Sequence, residues 1–192
     1  MNRKNTKPAH CGSLTLAGVV VATLSLAAPA AANQGYGRDL GANNREVRAQ
    51  LEQLRKVVVG FHSYDVARAA GWDEAISPCV EDLTNGTGGM GFHIANMSEL
   101  GNGTVSLLRP EALMYAPMAD GSMEFLGVEY IVPDPAMALS DPPELLGQTF
   151  AYNPELGIWA LHVWLERHNP LGLFAPYNPT VSCEFAPPPD GE

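Results

Sequence analysis

The sequence predicts a single α+β domain: a mostly antiparallel sheet, sandwich- or barrel-like, with one or two helices near its N-terminal end. Three observations carry this. Helical periodicity is confined to the stretch from Asn43 to Ala70, the apolar runs beyond Trp72 are short and strand-like, and most of the 16 prolines and many glycines separate those runs.

The first 32 residues read as an address. Arg3, Lys4 and Lys7 precede the apolar run "LTLAGVVVATLSLAA" (14–28) and the small-residue segment "PAAAN". This is the pattern of a secretory signal, and the run is shorter than the ~20 residues of a membrane span. Cleavage is expected after Ala32, giving a secreted or periplasmic chain with no stable membrane insertion. Residues 33–42 read as a flexible N-terminus, 43–185 as one globular domain, and 186–192, "APPPDGE", as a disordered tail.

Within the domain, Val47, Leu51, Leu54 and Val58 recur at helical intervals. Asn43 or Asn44 can cap that helix and Gly60 fits its end. A second, short helix is expected over Tyr64–Ala70, stopped by Gly71. The strands are expected at 112–118, 123–132 and 157–166, and Asp120-Gly121 between the first two is a hairpin signal. The proline-rich 133–150 reads as a lid or a strap over the sheet.

Removing the signal leaves eight basic and 21 acidic residues, a net charge of −13. So acidic a chain is not built to hold a phosphate backbone, which excludes nucleic acid as a partner. Two cysteines remain, Cys79 and Cys183, and an even pair outside the cytoplasm without CxxC spacing predicts a disulfide. The loop it closes, about 105 residues, makes it worth roughly 4–5 kcal/mol in the chain-entropy model.

"GTGGMG" (86–91) formally matches a dinucleotide fingerprint. It follows the polar "CVEDLTN" and lacks a βαβ unit, so no nucleotide cofactor is expected, and the glycines read as a loop permitting close backbone approach. The stronger signal is a set of ionisable residues inside apolar strands: His93 in "MGFHIAN", Glu129 in "FLGVEYIV" and His162 in "IWALHVWLE". Each alone would be expensive to bury. Around one cation they form a two-histidine, one-carboxylate set suited to mononuclear iron, zinc or manganese. Taken singly, each reads as an ordinary hydrogen-bonded or solvent-facing group.

His168 lies six residues beyond His162, roughly 20 Å along a straight strand. It joins the same site only if the chain turns back after Glu166, where Asn169-Pro170 favours a turn. Trp164 and Tyr130 are the expected walls. Six methionines between Met90 and Met137 suggest copper as one candidate ion, though they also serve as core filler.

The segments "GGMGFH", "RPEALMYAP", "LGVEYIVP", "LLGQTF" and "WALHVW…RHNPLGLFAPYNP", with "YDVARAAGW" upstream, resemble a family of secreted bacterial proteins of about this size. The resemblance covers most of residues 60–183. It implies export and a single domain, and it assigns no activity, cofactor or catalytic residue. Two functions are therefore expected to compete. One is a metal-binding protein with a mononuclear His/Glu site, with His168 as fourth ligand or proton carrier, read as an oxidoreductase (an oxidase or oxygenase) whose open position admits substrate or dioxygen. The other is a non-catalytic small-molecule-binding domain, walled by the aromatic strands and the 133–150 segment, or a structural envelope protein, without metal.

Overall fold

The computed structural model describes residues 44–187. The expected signal segment, residues 33–42, Asn43 and residues 188–192 of the tail lie outside the described residues. Helix α1 (Asn44–Val58) continues as a 3-10 turn over Val59–His62, and α2 (Tyr64–Ala69) follows, with the Ser63 hydroxyl accepting from Val66 N–H. The helical period does its expected work, since Val47, Leu51, Leu54 and Val58 are all buried.

The sheet is built from β1 (Glu74–Ala75), β2 (Val80–Asp82), β3 (Gly88–Ala95), β4 (Ala112–Pro117), β5 (Met123–Pro133), β8 (Ala151–Asn153) and β9 (Ile158–Trp164). A separate hairpin comprises β6 (Glu144–Leu145) and β7 (Gln148–Thr149), and helix α3 (Met97–Leu100) follows β3. The strand order is β1-β3-β4-β5-β9-β8, with β2 alongside the first half of β3, and the recorded pairings are antiparallel. The ends of this path do not pair, so the sheet is open and the barrel expectation is corrected. Asp120-Gly121 does form the β4–β5 turn: Gly121 adopts φ +81°, and Met118 N–H donates to the Ser122 carbonyl.

One expectation changes character. The glycine-rich stretch is half of strand β3 instead of a loop, although close backbone approach is its reason. A Cβ on Gly91 would stand 2.2 Å from the Tyr115 carbonyl oxygen, and one on Gly88 2.1 Å from that of Asn178. Glycine therefore lets β3 fit between β4 and the C-terminal segment, with which Gly89 exchanges both backbone hydrogen bonds through Asn178.

One sheet face packs against the helices. Ile94, Leu113, Tyr115, Val128, Tyr130, Leu161 and Val163 meet Val47, Leu51, Leu54, Val58, Phe61 and Trp72 in the main core. Full burial of such side chains contributes about 1.5–3 kcal/mol each. Leu146 and Phe150 of the 133–150 segment join this core, so the strap lies over the helix side. Leu146 sits at positive φ in the β6–β7 turn, and its burial offsets a strain of roughly 1–2 kcal/mol. The other face carries two smaller clusters: Met114, Ala116, Leu126, Trp164 and Val181, and Ala95, Ala112 and Ile131. A bulge where β5 has one extra residue, Leu126, directs that side chain to the second face while Phe125 stays with the helices. The expected Cys79–Cys183 disulfide is present and pins the C-terminal segment beside β2.

Candidate metal centre

Register brings the three ionisable residues together. Glu129 on β5 pairs directly with His162 on β9, so both project from the same face. Across β4, Ala112 pairs with Glu129, and Met114, two residues on, pairs with His93 of β3. All therefore share the face opposite the helices. His93 and Glu129 are two strands apart, roughly 9–10 Å. The residue between them on that face, Ala112, offers only a methyl group, over which both longer side chains can lean.

Their tips converge. His162 Nε2 lies 3.4 Å from Glu129 Oε1, His93 Nε2 lies 3.6 Å from Glu129 Oε2, and the two rings stand edge to face at 5.7 Å. One donor atom from each residue falls within 4.8 Å of the other two. Ligands about 2.0–2.2 Å from a tetrahedral ion stand roughly 3.3–3.6 Å apart; the two imidazole–carboxylate distances match this, each to a different oxygen, and donors within 4.8 Å of one another would draw in slightly around an ion. It suits direct hydrogen bonding poorly: His162 Nε2 is buried and has no hydrogen-bond partner. An unpaired buried polar atom costs about 1–3 kcal/mol, which a bound cation would offset. The donors fit a metal.

The electrostatics follow from burial. It pushes the Glu129 carboxyl up to about 8, with Glu111 adding a smaller push. It pulls His93 down to about 4, and His162 to about 3 with a contribution from His93. Without a cation, all three are uncharged at neutral pH. Neutral imidazole is the ligand form, and a cation would favour the carboxylate. For His93 Nε2 to bind an ion, Nδ1 must carry the proton, and the Ser77 hydroxyl at 2.9 Å is placed to accept it. Ser77 is held there because Ile76 N–H donates to the His93 carbonyl.

A cavity of about 540 Å³ opens in front of the three side chains. Its walls come from the 76–80 segment, Met90, Ile131, the β8–β9 hairpin, and Pro176 and Tyr177. The set thus offers three potential ligands and an open side, whereas structural zinc sites are closed by four protein ligands.

His168 is not part of this group. Beyond β9 the chain does turn, but Arg167 pairs with Glu124 and donates to the Thr180 carbonyl. Glu124 is five residues from Glu129, about 17 Å along β5. His168 is accordingly exposed, and its carbonyl accepts from Asn178 Nδ2. The expected walls are corrected as well. Tyr130 faces the main core and donates to the Leu107 carbonyl, because alternation puts it on the side opposite Glu129. Trp164 shares the face of His162 but packs with Met114 and Leu126 and donates to the Ala175 carbonyl. Of the methionines, Met90 lines the cavity, Met114 is in a core cluster, and Met97 and Met137 are exposed.

Ser77 and Glu111 were not legible as site residues. Glu111 is buried, near enough to Glu129 to raise it, accepts from Ile131 N–H at 3.1 Å, and is pushed up to about 7 by burial. It stands where β4 begins, after Pro110, and extends the β5 ladder with a side-chain oxygen. Only its position inside a proline-flanked apolar run hints at that. Comparison with protein-family models, with curated proteins and with solved structures finds no match, so the reading of this centre stands on its own geometry.

Proposed function

We propose that this chain is an extracytoplasmic metal-binding protein with one ion held by His93, Glu129 and His162 and an open coordination position facing the cavity. The buried, partnerless His162 Nε2 at ligand distance from a carboxylate carries the reading. The disulfide supports a location outside the cytoplasm, and no helix among the described residues is long and apolar enough to cross a membrane. Two histidines and a carboxylate suit zinc or iron, and imidazole also suits copper. With iron or copper the open position gives an oxidoreductase. With zinc it gives a Lewis acid and activated water.

The test is elemental analysis and calorimetric titration of tag-free protein with zinc, iron(II) and copper. The expected result is one ion per chain in the wild type and none in His162→Ala. The cavity supports a second reading, a non-catalytic pocket in which the three groups merely orient a ligand. That reading predicts no stoichiometric metal and a thermal midpoint insensitive to chelator.

A further inference from the structure

The cavity differs sharply from floor to wall. At its floor stand His93, Glu129, His162 and Ser77, while its walls include Val80, Met90, Ile131, Leu156, Ile158 and Tyr177. We infer that it admits an uncharged, mainly apolar small molecule that presents one hydroxyl to the bound ion, phenols being the class that fits. The inference rests on the metal reading above and names what occupies the open position.

Two observations, and two consequences of a bound ion, select that class. A volume of about 540 Å³ lies in the range of small-molecule sites. No lysine or arginine among the described residues lines the cavity, so an anionic head would have the ion, already partly neutralised by Glu129, as its one counter-charge and would sit near Glu155. A cationic head would meet the ion itself. Among the polar floor groups the ion is the strongest attractor, and an oxygen donor suits it.

The wall then argues for a flat ring. Leu156, 67% exposed, forms an apolar lip at the mouth, an arrangement that favours extracting an apolar body from water. Met90 and Tyr177 offer a thioether and an aromatic ring, surfaces that pair well with aromatic rings. Ala160, on the same face as His162 and two residues before it, leaves the space beside the ion open.

The experiment uses the tag-free protein loaded with cobalt(II), with loading measured before any ligand is added. The probes are 1-naphthol, naphthalene and 1-naphthyl phosphate, followed by calorimetry and by the visible absorption of the cobalt. Saturable one-to-one binding of 1-naphthol should shift the cobalt bands, with naphthalene and the phosphate each weaker by about tenfold or more. Ala160→Phe fills the space beside the ion and should retain cobalt while weakening naphthol by about tenfold. Leu156→Asp alters an exposed rim position and should do the same without disturbing the core. Loaded protein that shows no saturable naphthol binding would overturn the inference. So would equal binding of the phosphate or of naphthalene, or wild-type affinity in both variants. Failure to take up cobalt is seen at the first step and removes the metal reading itself.

Discussion

The two faces of the sheet solve opposite problems with the same strands. Toward the helices, Ile94, Leu113, Val128, Leu161 and Val163 build a dry core, and its polar atoms are satisfied: Tyr115 donates to the Phe61 carbonyl at 2.7 Å and Tyr130 to that of Leu107 at 2.6 Å. On the other face, ionisable groups sit between two small apolar clusters, one nitrogen lacks a partner, and a cavity lies in front of it. Strand alternation makes this division possible, because residues 128 and 129 or 161 and 162 go to opposite sides. Apolar burial is concentrated on one face, and the second holds the buried ionisable cluster.

The largest effect expected from breaking the helix-side face is on stability alone. Leu113→Ala, at a fully buried position, should lower unfolding free energy by about 2–5 kcal/mol in denaturant titration while leaving metal stoichiometry unchanged. Opening the Cys79–Cys183 bridge, by Cys79→Ser with Cys183→Ser, should cost about 2–5 kcal/mol, at the upper end if the chain-entropy model holds. Because residues 76–80 wall the cavity and supply Ser77, the same change should also weaken metal binding. Unchanged affinity would show that the wall holds without the bridge.

On the site face, Ser77→Ala removes the acceptor for the His93 Nδ1 proton. Metal affinity should fall about 10- to 100-fold, read by competition with a chelator, and stability without metal should fall by about 1–3 kcal/mol as the buried ring nitrogen loses its partner.

The pH response of the metal-free protein should separate the groups by sign when compared with a variant carrying His93→Leu, Glu129→Leu and His162→Leu. Burial lowers both histidines from 6.5, so the unfolded chain takes up their protons first on acidification. Their contribution is full above pH 6.5 and is lost as pH falls toward 4. Glu129 is raised from 4.5, so its contribution is full below that value and is lost as pH rises through about 8. Between 4.5 and 6.5 the two histidines outweigh one carboxyl, and the stability difference should rise by on the order of 1 kcal/mol per pH unit. From 6.5 to 8 it should fall, leaving a maximum near 6.5 in equilibrium unfolding. A curve flat across this range would mean that the groups are solvated.

The smallest effect is expected at His168. His168→Ala should leave metal affinity and stoichiometry unchanged, as measured by calorimetry, because His168 lies outside the cluster. A loss of metal would place the 165–169 turn much closer to Glu129 than the Arg167–Glu124 anchor allows.

Local chemistry determined a good deal by sequence alone. The period of Val47, Leu51, Leu54 and Val58 specifies a helix with one buried side, Asp120-Gly121 specifies a turn, and the even pair Cys79 and Cys183 without CxxC spacing predicts a bridge. The convergence of His93, Glu129 and His162 was also legible, because a charged or polar group inside an apolar strand needs a partner and these three had the same need. Position relative to other chain segments was not legible. Whether His168 returned to the site depended on Arg167 finding Glu124, and whether Trp164 walled the cavity depended on Met114 and Leu126 reaching it first. The pairing of Ser77 with His93 needed β1 to lie beside β3, and the side covered by the 133–150 strap followed from where Leu146 and Phe150 found a core to enter. Sequence periodicity says which face a side chain takes on its own strand; the register between strands, fixed by the packing of the whole sheet, decides what it meets there.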